Sequence, residues 1–168
     1  MTAPLLLTWN PGPDDDRVYD GARWSAEVVA PCAAGEVVAS TWGVGRHRHG
    51  IGPDQPAVLH RQGVHGRGIV ARGVITSGVL TGERDRTPGR VTNYVELQWH
   101  EAVPVDLRLD LDDLQPLTPD FAWRHVYSSG RRLPPAVADV VVAEWQAHLR
   151  EPVVADALRA LVDGPRPG

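Results

Sequence analysis

Lysine is absent from all 168 residues, so each of the 17 basic side chains is an arginine. Without lysine there is no phosphate-binding Gly-x-x-x-x-Gly-Lys loop, and nucleotide hydrolysis of that kind is excluded. Cysteine occurs once, at Cys32. A single thiol excludes an intramolecular disulfide and leaves no cysteine set for zinc, a pattern that suits a reducing cytoplasm. No apolar run approaches the roughly 18 residues that cross a bilayer, and no membrane association is expected. The opening Met1-Thr-Ala-Pro-Leu-Leu-Leu-Thr-Trp9 has three consecutive leucines with no basic residue before them. It reads as a first strand rather than a secretory signal.

What is present is an ordinary globular composition, 42% hydrophobic and 23% charged, at a length that predicts one domain over residues 1–168. The net charge of −4 argues against indiscriminate, phosphate-driven coating of nucleic acid. Its distribution is uneven. Within residues 40–72 lie five arginines (Arg46, Arg48, Arg61, Arg67, Arg72) against one acid, Asp54, a local balance of +4. His47, His49, His60 and His65 share that stretch, while acids gather at Asp14-Asp15-Asp16 and at Asp106, Asp110, Asp112 and Asp113. A local basic face on an acidic chain suits a selective binder. A GC-rich coding bias would also favour arginine over lysine, but it does not explain the clustering.

Residues 4–9 predict a buried strand closed by the turn Asn10-Pro11-Gly12-Pro13. Asp14-Asp15-Asp16 then supplies an N-cap and an acidic first turn for a helix. Val18, Trp24, Val28 and Val29 mark its apolar stripe, with Pro31 and Gly35 closing it. Further strands are predicted at residues 36–41, 57–60, 68–76, 91–99 and 103–109. Residues 42–50 and 82–90 are too rich in glycine and charge and predict loops. Residues 111–117 predict a short helix or turn. Pro134-Pro135 opens a helix with Val137, Val141, Trp145 and Leu149 on one face, and Pro152 opens a last one ahead of a Gly-Pro-Arg-Pro-Gly tail. Strands carried in a meander and flanked by helices predict an α+β fold, a small bent β-barrel.

Enzymatic readings find little support in the residues. There is no Gly-x-Ser-x-Gly turn, and Cys32 has no motif around it. Asp106-x-x-x-Asp110-x-Asp112-Asp113 lacks the glycine and terminal glutamate of a calcium loop and reads as a solvated acidic face. His47-x-His49 and the His60, His65 pair have no carboxylate or thiolate at ligand spacing. No catalytic residue, cofactor or metal is expected.

The aromatics are more informative, because six tryptophans accompany three tyrosines and one phenylalanine. Trp24, Trp99 and Trp145 fall on predicted packing faces. Trp9 and Trp42 each end a strand and enter a polar or glycine-bearing loop, as Trp9-Asn10-Pro11 and Ser40-Thr41-Trp42-Gly43. Two roles are open to them. Each could present a flat face to a nucleobase, a contact contributing ~1–3 kcal/mol, or each could be a lid that closes the barrel end.

Ser40-Thr41-Trp42-Gly43-Val44-Gly45-Arg46, Gly52-Pro53-Asp54, Ala57-Val58-Leu59-His60-Arg61-Gln62-Gly63 and Gly68-Ile69-Val70-Ala71-Arg72-Gly73 follow one another closely. Their order and spacing resemble the EVE domain of the PUA-like superfamily. The opening Leu-Leu-Thr-Trp-Asn-Pro and the late Ser128-Ser129-Gly130-Arg131-Arg132-Leu133-Pro134 resemble EVE-like modules fused to HNH nucleases in modification-dependent restriction proteins. The resemblance spans about residues 4–150. Three departures stand out: the family's Gly-Asp turn is here Gly52-Pro53-Asp54-Gln55-Pro56, the loop after Trp42 is glycine-shifted, and no HNH signature follows, so nuclease activity is not carried over.

The resemblance implies a non-catalytic reader of a modified, flipped-out base, with modified cytosine in DNA favoured and modified RNA as the runner-up. It implies a pocket of Trp9, Asn10, Ser40, Thr41 and Trp42, with Ser129 and Gly130 nearby. Arg46, Arg61, Arg131 and Arg132 would hold flanking phosphates, since a guanidinium pairs bidentately with phosphate. Asn10 has a second reading as a cap of the Asp-rich turn. Other classes remain: a subunit that docks on a separately encoded nuclease, and a small enzyme on the same scaffold.

Overall fold

The computed structural model describes residues 3–10, 21–63, 66–83, 89 and 91–164. The predicted cap at Asp14-Asp15-Asp16, Val18, His65, most of the 82–90 loop and the terminal tail lie outside the described residues.

The architecture is α+β, a small bent β-barrel flanked by helices. β1 (Leu5–Trp9) carries an almost uninterrupted apolar run because it is covered on both faces. It lies parallel to β3 (Pro56–Arg61) and antiparallel to β8 (Arg131–Arg132). β3 pairs with β4 (Gly68–Ile75), and β4 with the long β6 (Val91–Ala102). β6 also pairs with β2 (Val38–Gly45) and with β5 (Leu80–Glu83), while β7 (Leu109–Asp110) joins the other end of β4. In the path β2-β6-β4-β3-β1-β8 most neighbours are not consecutive in sequence, so the sheet is not the meander expected, and β1 lies between β3, to which it is parallel, and β8.

Side chains alternate across the strands and feed two cores. Leu5, Leu7, Ala57, Leu59, Val95, Leu97 and Trp99 point into the barrel. Leu6, Val58 and Ile69 point the other way, onto Leu114, Trp123, Val141 and Trp145. α3 (Leu111–Leu114) and α4 (Pro135–Leu149) cover that outer face, followed by α5 (Pro152–Asp163). The sheet curls until β2, four places from β1 in the sheet, reaches it again: the Trp42 indole N–H donates to the Thr8 carbonyl at 2.9 Å.

Several expectations need correction. Pro31 does not close the first helix. α1 (Gly21–Trp24) continues through a π-helical stretch, Ser25–Val29, into α2 (Ala30–Ala33). Proline donates no amide hydrogen bond, and the ladder widens just before it, with the Ala30 amide reaching back to Ser25. The end comes at Gly35, whose φ of 82° permits the Glu36 amide to bond Pro31 and the Gly35 amide to bond Cys32. Trp42, Gly43, Val44 and Gly45 belong to β2 rather than a loop, because β6 supplies their partners across a bulge. The strand expected over 103–109 is instead a 3-10 turn, Val105–Leu107, and the two-residue β7. The Val103 amide still bonds Val70, but Pro104 has no amide to extend the ladder and the chain leaves the sheet.

Candidate nucleic-acid interface

One end of the barrel is assembled from three segments that are distant in sequence, and Thr8 is their common anchor. Its carbonyl accepts the Trp42 indole N–H, and its amide donates to the Ser129 hydroxyl at 3.1 Å. The Gly130 amide donates to the Leu6 carbonyl at 2.9 Å. Gly130 has φ 93°, and a β-carbon there would lie 2.9 Å from His47 and 3.0 Å from Val44. Only glycine lets this segment close against the end of β2. The turn after β2 leaves Arg46, His47, Arg48 and His49 exposed, and Asn10 is exposed where β1 ends.

The indoles are committed to the core. Trp9 is 4% exposed and Trp42 5%. Trp9 packs on Trp24 with ring centroids 5.2 Å apart, and Trp42 meets Trp99 edge-on at 6.0 Å. Trp9, Trp42, Ser129 and Gly130 are thus gathered, with Asn10 at their edge. Ser40 shares the inward face of β2 with Trp42, whereas Thr41 sits on the opposite, exposed face, paired in register with Glu96. Strand alternation separates that pair.

The arginines divide in the same way. Arg131 and Arg132 are exposed on β8, Arg131 with its guanidinium 5.1 Å from the Phe121 ring centre and Arg132 donating to the Gly50 carbonyl. Arg61 is buried: its guanidinium lies 5.6 Å from the Trp9 ring centre and donates to the Gly66 carbonyl at 3.0 Å. Burial, and then the nearby Arg108, lower its pKa. The resemblance implies a phosphate contact for Arg61, whereas the fold sets it against Trp9 and the Gly66 carbonyl.

One aromatic escaped the sequence reading. Tyr127 is 82% exposed, with its ring centre 6.1 Å from that of His125. It follows the 3-10 turn Trp123–His125 and precedes Ser128-Ser129-Gly130. An aromatic in a segment without periodicity was the available signal. His60 is buried on the outer face, edge-on to Trp123 at 5.5 Å, and burial, then the Arg67 charge, lower its pKa to about 4. It is a neutral packing residue. Among the described residues no three His, Cys, Asp or Glu side chains gather as a metal site.

A solved structure of a hypothetical protein from Leishmania major is similar over 89% of this chain and 98% of its own, with a TM-score of 0.60. The two share a fold. At 10% sequence identity the likeness extends to the fold alone. No family model matches the chain, and no curated protein matches it significantly. Within the shared fold, the rim around Thr8 is where polar, aromatic and basic side chains from separate segments meet.

Proposed function

We propose that this chain is a non-catalytic nucleic-acid-binding module of the PUA-like, EVE type, acting in the cytoplasm on a modified base extruded from its strand. Modified cytosine in DNA is the favoured ligand. The observation that carries the reading is the convergence on Thr8: Asn10, the end of β2, and the Ser129 to Arg132 segment form one rim although over a hundred residues separate the first from the last.

The rim offers each contact that such a ligand needs. The Asn10 carboxamide can both donate to and accept from a base edge. The Ser129 oxygen accepts the Thr8 amide, and its own hydroxyl hydrogen remains to be donated. Arg46, Arg131 and Arg132 supply exposed positive charge for phosphates. Because the Trp9 and Trp42 rings are buried, the stacking role falls in this reading to the exposed Tyr127, two residues before Ser129, and the two indoles serve to hold the rim in shape. Stacking of ~1–3 kcal/mol per base offsets much of the unstacking that extrusion demands.

Extrusion can be read directly with a 2-aminopurine placed beside the modified cytosine in a duplex. Binding should raise its fluorescence as the neighbour leaves the stack, and Tyr127→Ala should reduce that rise. Saturating binding with no change in fluorescence would contradict base extrusion. The same titration on modified RNA distinguishes the two nucleic acids.

A further inference from the structure

Beside the rim lies a recess of about 420 Å³ between the β3–β4 turn and the segment around β7, lined among others by Gly66, Arg67, Arg108, Asp110, Asp112 and Arg124. Three guanidinium groups border it. Arg108 is held in place: it donates to the Arg67 and Val105 carbonyls and pairs with Asp110 at 2.7 Å. Its guanidinium also fills the space above Gly66, where a β-carbon would come within 2.3 Å of it. Arg124 pairs with Asp112 only at 3.7 Å, and both side chains are largely exposed, so this pair is weak and readily exchanged.

Arg67 is exposed, and its guanidinium has no carboxylate partner among the described residues. Its charge is felt by His60 and that of Arg108 by Arg61, and both effects lower the neighbour's pKa. The two carboxylates of the recess therefore leave positive charge uncompensated. Arg61 links this recess to the rim, since the same guanidinium that lies over Trp9 donates to the Gly66 carbonyl.

We propose that this recess is a phosphate-binding site, with Arg67 and Arg124 as the groups that contact the anion and Arg108 as the fixed wall behind them. The phosphate is a backbone phosphate of the strand held at the rim. That source rests on the nucleic-acid reading above; the site itself does not. An oxyanion would bond Arg67, draw Arg124 away from Asp112 and gain bidentate hydrogen bonds from a planar guanidinium.

Two measurements on the full chain test this. In the first, inorganic phosphate is titrated at constant ionic strength against chloride while backbone and arginine N–H resonances are followed by NMR. Saturable shifts should centre on Gly63, Gly66, Arg67 and Arg124 and vanish in an Arg67→Gln/Arg124→Gln variant. Shifts that do not saturate, or that survive in the variant, overturn the site. In the second, the affinity of a duplex oligonucleotide is measured across salt concentrations. The double variant should lower the slope of log affinity against log salt by about 0.9, the change for one lost phosphate contact. An unchanged slope with phosphate binding intact overturns the backbone as the source and leaves a site for a free phosphate or a phosphomonoester. If the wild type binds no oligonucleotide at all, the nucleic-acid reading fails, and the phosphate titration still decides the site.

Discussion

At the scale of single residues, Trp9 and Trp42 are 4% and 5% exposed, so their rings belong to the barrel interior. Trp9 and Trp42 were recognisable as rigid aromatics at strand ends, with two roles open to them. The fold buries both rings, Trp9 against Trp24 and Trp42 edge-on to Trp99, because β1 and β2 must close the barrel where those rings sit. Trp42→Ala is therefore expected to cost ~3–5 kcal/mol of stability as a core truncation, measurable by urea unfolding. A variant that loses nucleic-acid affinity at unchanged stability would show instead that the ring faces ligand. His60 gives a second test. The unfolded chain takes up a proton on this ring below its ordinary pKa of 6.5, the folded chain only near 4. Unfolding free energy should thus fall as pH drops from about 6.5 to about 4, by on the order of 3 kcal/mol at ~1.4 kcal/mol per pH unit. His60→Phe removes that component and keeps an aromatic against Trp123. Parallel loss of stability in wild type and variant over this window would mean that the ring is not held neutral.

Among the elements, strongly patterned ones were legible and context-dependent ones were not. The alternation of Val95, Leu97 and Trp99 with Tyr94, Glu96 and Gln98 marked β6, and the valine and tryptophan spacing marked α4. β8 has two residues and exists only because Leu5 and Leu6 offer it an edge. The parallel placement of β1 beside β3 likewise depends on pairing residues 52 apart, Leu5 with Ala57, which no local pattern records. The joint between β8 and the end of β2 is Gly130, where a positive φ coincides with a close approach. Gly130→Ala should cost ~1–3 kcal/mol through backbone strain and crowding on Val44, and the displaced Arg131 and Arg132 should weaken nucleic-acid binding with it. Gly45→Ala is the milder comparison, since a β-carbon there meets only the Ser129 carbonyl at 3.6 Å. Equal effects of the two substitutions on thermal unfolding would remove the packing argument for Gly130.

For the whole molecule, a net charge of −4 with five arginines against one acid in residues 40–72 predicts binding that is selective and only moderately salt-dependent. The slope of log affinity against log salt on duplex DNA should be roughly 2–4, from a few phosphate contacts at about 0.9 each. Replacing Arg131 and Arg132 together should lower it and weaken modified and unmodified DNA alike, because backbone contacts carry no base information. A double variant that keeps the slope but loses discrimination would make this segment the base reader. Of the candidate site, the sequence marked four members that the fold gathers, Trp9, Trp42, Ser129 and Gly130, since each belongs to a short motif. It could not show that Thr41 turns outward, that Arg61 is buried, or that Tyr127 stands exposed, since each depends on which face of the barrel a residue meets. The most direct test of the central claim is an affinity screen of matched duplexes that differ only in one cytosine, unmodified or carrying different 5-position modifications. Base reading predicts at least one modified duplex bound roughly tenfold or more tighter than its unmodified twin, a difference of about 1.4 kcal/mol. Equal affinity for every duplex would contradict it.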